Sequence, residues 1–100
     1  MRISEYEIES IKSLAYRHFG KDVQVFLFGS RTGNQKRGGD IDLFISNPNG
    51  ERLKIQTKIN FITDLILKIG DQKIDVVLDN PAAKNSFFYR TIYQTGIQLC

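Results

Sequence analysis

Val23-Gln24-Val25-Phe26-Leu27-Phe28-Gly29-Ser30, nine intervening residues and then Asp40-Ile41-Asp42-Leu43 form the stretch on which the reading of this chain turns. Val23 to Phe28 is β-branched and aromatic, which predicts a buried strand. Gly29-Ser30 turns the chain out of it. Ile41 to Ile45 predicts a second strand, ended by Asn47-Pro48-Asn49-Gly50. Side chains alternate faces along a strand, so Asp40 and Asp42 share one face. Two carboxylates on one face repel unless something positive lies between them, and an all-oxygen donor set suits magnesium.

The flanking sequence supplies the rest of a small fold. Ser4-Glu5-Tyr6-Glu7 is a capping box, and Ile8, Ile11, Leu14, Ala15 and Phe19 follow at helical spacing until Gly20. Gly29 to Gly39 is polar and predicts a loop or short helical turn. From about Arg52 to Ile69 the period is helical again, with Ile55, Ile59, Ile62, Ile66 and Ile69 as its expected core stripe and Gly70 as its stop. Lys73 to Leu78 predicts a third strand. Asn80-Pro81 offers an N-cap and a proline at the first helical position, opening a helix through about Gln94. Gly96 ends that helix, and Ile97-Gln98-Leu99 reads as a short tail. The order is helix, strand, loop, strand, helix, strand, helix. That order predicts an α+β domain spanning residues 1–100, a small mixed sheet with helices packed against it.

Composition narrows the function classes. One hundred residues make one domain, with no room for a separate substrate domain. Fourteen basic and eleven acidic side chains give a net charge of +3, which favours phosphate-bearing ligands without singling out nucleic acid. Cys100 is the sole cysteine, so an intramolecular disulfide and a zinc cluster are excluded by count. With no charged-then-apolar leader and no run near the roughly 20 apolar residues of a membrane span, a cytoplasmic protein is expected.

Asp75 sits in Lys73-Ile74-Asp75-Val76-Val77-Leu78. A carboxylate in so apolar a strand is expected to be partnered, because burying an isolated charge is expensive. If the third strand lies beside the second, Asp75 joins Asp40 and Asp42, and three carboxylates can hold two magnesium ions about 3.5–4 Å apart. The Gly29-Ser30 turn is the complement: a close backbone approach, free N–H groups and a hydroxyl for phosphate oxygens. Arg31, Lys36 and Arg37 add positive charge. Anion cradle and acidic cluster side by side are what phosphoryl or nucleotidyl transfer needs. Plainer readings stand beside this one. On these, Asp40 and Asp42 are solvent-facing at a strand entry, Asp75 is a charge that guards an edge strand, and the three cations are solvated. Asp79 suits a turn and His18 a helix terminus. Part of the aromatic helix Phe87, Phe88, Tyr89, Ile92 and Tyr93 must be core, and the remainder, with Tyr6 and Tyr16, is a candidate partner surface.

Leu27-Phe28-Gly29-Ser30-Arg31, Gly39-Asp40-Ile41-Asp42-Leu43 and Asp75 together resemble the signature of the DNA polymerase β-type nucleotidyltransferase superfamily. The small size resembles its minimal nucleotidyltransferase (MNT) domains. Gly39 stands where that family commonly has serine. The resemblance implies a polymerase β palm-like fold and transfer of a nucleoside monophosphate from an NTP, ATP above all, to a hydroxyl with release of pyrophosphate. By position, it implies that Gly29, Ser30 and Arg31 hold the triphosphate and that Asp40, Asp42 and Asp75 bind two Mg²⁺ ions. It further implies an antitoxin that pairs with a HEPN-type ribonuclease toxin and attaches AMP to one of its tyrosines. Two other roles remain open: neutralisation of that partner by contact alone, and transfer to RNA ends or a small hydroxylated substrate.

Overall fold

The computed structural model describes residues 3–28, 41–48, 53–79 and 87–100. Gly29, Ser30, Arg31, Lys36, Arg37, Gly39, Asp40, Asn49-Gly50, Arg52 and Asn80-Pro81 lie outside the described residues, as do the side chains of Phe87, Phe88 and Tyr89. The elements are α1 (Glu5–Phe19), β1 (Gln24–Phe28), β2 (Ile41–Ser46), α2 (Ile55–Ile69), β3 (Ile74–Leu78), α3 (Phe87–Thr95) and β4 (Ile97–Gln98). The sheet order is β3-β2-β1-β4. β1 runs antiparallel to β2 and β4, whereas β2 and β3 are parallel, as a connection through a helix requires.

The capping box forms as expected. The Glu7 backbone N–H donates to Ser4 Oγ (3.1 Å) and the Ser4 N–H donates to Glu7 Oε1 (2.9 Å), which satisfies two of the donors a helix start leaves open. Glu5 and Glu7 in the first turn, with Arg17 and His18 in the last, complement the helix dipole. Gly20 and Gly70 close α1 and α2 at φ of 102° and 100°, a region that L side chains avoid.

The strands alternate cleanly. One sheet face carries Val25, Leu27, Ile41, Leu43, Ile45, Ile74 and Val76 and packs beneath Ile11, Leu14, Ala15 and Phe19 of α1 and Phe61 and Leu65 of α2. The opposite face carries Phe26 and Phe44, which Ile92 of α3 covers. The fold is thus three layers, α1 and α2 on one side of a mixed four-stranded sheet and α3 on the other.

Two expectations are corrected. The isoleucine stripe of α2 is core only in part: Ile62, Ile66 and Ile69 pack half-buried against the core beside the fully buried Phe61 and Leu65, whereas Ile55 and Ile59 are exposed. Helical period alone does not say which flank of a broad apolar arc meets the neighbouring helix, and ring packing of Phe61 on Phe19 settles it here (centroids 5.3 Å apart). Ile97-Gln98-Leu99 is not a tail. Ile97 and Gln98 pair with Leu27 and Phe26, and the Leu99 N–H donates to the Val25 carbonyl (2.7 Å). So short a strand carries no alternation to read, and the open edge of β1 supplies its partner.

Candidate active site

The register fixes what stands beside Asp42. Phe28 of β1 is its antiparallel partner, and Asp75 of β3 is its parallel partner. Because Leu43 and Val76, the next residues along, are buried under α1 and α2, Asp42 and Asp75 both lie on the α3 face. A row Phe28–Asp42–Asp75 therefore crosses three strands, followed two residues on by a row Phe26–Phe44–Val77. The ladder is continuous here. The Ile41 N–H donates to the Lys73 carbonyl (3.0 Å) and the Asp79 N–H to the Ile45 carbonyl (2.8 Å), so a slip of register would break bonds at both ends.

The two acids differ in setting. Asp42 is half-buried on a central strand and Asp75 is exposed on an edge strand. Among the described residues β3 is covered on the α1/α2 face only, so Asp75 is not enclosed as its apolar strand suggests, and β3 is the edge strand of the plainer reading. Adjacent strands lie about 4.8 Å apart, and two unit charges at that spacing repel by about 1 kcal/mol in water and by more in a drier medium. A cation between them removes that penalty, and the donors on offer are all oxygens, the chemistry that magnesium takes. Among the described residues no group of three His, Cys, Asp or Glu side chains is placed to hold a metal. The remaining acid, Asp40, lies outside them, immediately before Ile41.

β1 ends at Phe28 and β2 begins at Ile41, so these two strand ends lie at the Asp42 end of the sheet, and Gly29, Ser30, Arg31 and Asp40 fall between them in sequence. Two further polar pairs tie elements together. Asp79 accepts from Ser46 Oγ (2.7 Å), tying the exits of β2 and β3 together, in keeping with a turn role. His18 Nε2 lies 2.7 Å from Asp64 Oδ2, bridging α1 to α2 beside the Phe61 ring. Tyr93 stands edge-on to Phe26 (5.2 Å) and Phe44 (6.1 Å), on the same face as the acid pair. Sequence reasoning passed over Val77, which shares that face. Its spacing of two from Asp75 was the available signal.

A mixed four-stranded sheet with a parallel acid-bearing pair of strands and helices on both faces is consistent with a nucleotidyltransferase fold. Residues 8–97 match the family model described as nucleotidyltransferase domain, and the chain belongs to that family. No curated protein matches it. Membership assigns the general chemistry, transfer of a nucleotidyl group. No helix among the described residues is long and apolar enough to cross a membrane.

Proposed function

We propose that this protein is a magnesium-dependent nucleotidyltransferase that moves AMP from ATP to a hydroxyl of a partner protein. The partner is a HEPN-type ribonuclease toxin, the acceptor is one of its tyrosines, and the protein thereby acts as an antitoxin in a hetero-oligomer with that partner. The observation that carries the chemical part is the register pairing of Asp42 with Asp75 on one sheet face. The partner and the acceptor rest on the resemblance to minimal nucleotidyltransferase domains.

In this reading the acceptor oxygen attacks the α-phosphorus of ATP. A new P–O bond forms, the bond from the α-phosphorus to the bridging oxygen of the β-phosphate breaks, and pyrophosphate leaves with the bond's electron pair. The hydroxyl proton passes to the Asp75 carboxylate and then to water. Gly29, Ser30 and Arg31 hold the triphosphate, while Asp40, Asp42 and Asp75 hold the metal. Magnesium, when bound, supplies charge neutralisation at the phosphates and a lower pKa for the attacking hydroxyl. Asp42, between Phe28 and Asp75, is held in place by neighbours on β2, Ile41 and Leu43, that are buried.

The test is co-expression with the neighbouring gene product, followed by mass measurement of that product for an added AMP. Wild type adds the mass and relieves toxicity, and Asp42→Asn does neither. Relief of toxicity that survives Asp42→Asn with no added mass overturns catalysis in favour of neutralisation by contact.

A further inference from the structure

We propose that the outer face of α2 is a self-association surface, on which a second copy of this chain seats its own α2 antiparallel to the first. This goes beyond the transferase reading and does not depend on it. Ile55, Ile59, Thr63 and Leu67 recur every four residues along α2 and form one surface ridge. Ile55, Ile59 and Leu67 are 72%, 48% and 80% exposed, and Thr63 is exposed beside them. A single exposed apolar side chain needs no explanation, but three on one ridge make an apolar strip. The charges of the helix are elsewhere. By helical spacing Lys58, Asp64 and Lys68 fall on the opposite half, with the buried Phe61 and Leu65 and the contact between Asp64 and His18 of α1.

The composition of the ridge selects its occupant. In a chain that is 25% charged, a half-helix facing solvent without a charge offers no counter-charge to a phosphate backbone or to an acidic or basic partner. It meets its own image with no like charges in contact. The ridge also suits a two-fold axis. Centred at the level of Phe61, an antiparallel crossing sets Ile55 against Leu67 of the second copy and Ile59 against its Thr63. Each contact then occurs twice, as an isologous interface requires. Ridges of four-residue spacing interlock at about −50°, the commonest helix crossing. Beside the ridge, Gln56 Nε2 donates to Asn60 Oδ1 (3.1 Å), so this polar rim is partly satisfied before contact. A helix of 15 residues is about 22 Å long. One such face falls short of the roughly 800 Å² per partner of a standard interface, so the dimer is weak and forms at high concentration.

Sedimentation of the full chain over a concentration series, in reductant so that Cys100 cannot cross-link, reads the association. The weight-average mass should climb from one chain toward two between about 10 µM and 1 mM. Ile55→Lys and Leu67→Glu, both at exposed positions, should keep the wild-type Tm and each weaken association by at least about tenfold. An equimolar mixture of these two variants should associate more tightly than either alone, because lysine at 55 then meets glutamate at 67 across the axis. A wild type that stays monomeric to 1 mM overturns the proposal. So does a dimer indifferent to both variants, which assembles through another surface. A mixture no tighter than either variant overturns the antiparallel pairing.

Discussion

Asp42 and Asp75 face each other across a parallel ladder, one on a central strand and one on the sheet's edge. The pairing places like charges at neighbouring positions, an arrangement that weakens a sheet unless it serves a ligand. It also separates the two roles. The enclosed acid is held by its strand on both sides, and the outer acid is open to whatever approaches from solvent.

That geometry predicts opposite signs for activity and stability. Asp42→Asn and Asp75→Asn should each lower nucleotidyl transfer by about 100-fold or more. In chelator, Asp75→Asn should melt no lower than wild type, because it relieves repulsion between the pair. Mg²⁺ should raise the wild-type Tm and leave Asp75→Asn nearly unmoved. Calorimetry with and without Mg²⁺ reads both effects, and an Asp75→Asn protein markedly less stable in chelator would refute the repulsion.

The revised core of α2 predicts an uneven response along one helix. Phe61→Ala should cost about 3–5 kcal/mol and Leu65→Ala about 2–5 kcal/mol, through lost burial and the cavity left behind. Ile55→Ala, on a side chain 72% exposed, should change stability by less than about 0.5 kcal/mol. Urea unfolding of the three variants decides it.

Gly70 isolates a backbone effect. A Cβ built there meets nothing within 4 Å, yet φ is 100°. Gly70→Ala should therefore destabilise by about 1–3 kcal/mol with no steric clash at all. A neutral result in chemical denaturation would mean that the α2–β3 connection adopts another conformation.

The contact between His18 and Asp64 predicts coupling between α1 and α2. A double-mutant cycle of His18→Ala and Asp64→Ala should give an interaction of about 0.5–1 kcal/mol that shrinks in high salt. Additive single effects would show that the contact contributes only packing.

Cys100 is half-buried, and burial pushes its thiol up, a rise that hydrogen bonding with Tyr16 only partly offsets. Its alkylation at pH 8 should be about tenfold slower in the folded protein than in urea. The same shift weakens folding as pH climbs past the ordinary thiol range, because the unfolded chain gives up that proton first. Equal rates in the two states would contradict the burial.

Local rules made much of this protein legible from its residues alone. Ser4 and Glu7 declared a helix start, Gly20 and Gly70 declared stops, and the strands around Phe26, Leu43 and Val76 were plain from their composition. The likeness of the Gly29-Ser30 and Asp40-Ile41-Asp42 segments to a nucleotidyltransferase signature pointed to the family that the chain joins. Those features depend on a few neighbouring residues, where sterics and hydrogen bonding act over one or two turns. What only the folded chain decided is non-local. Which strand lies beside β2, that Asp75 meets Asp42 and not its neighbours, that Asp75 is open to solvent, that Phe61 and Leu65 displace Ile55 and Ile59 from the core, and that Ile97 and Gln98 complete the sheet all follow from pairings between distant segments. Each such pairing is set by how two faces fit and by the closing of a long loop, and neither is written in the period of a single stretch.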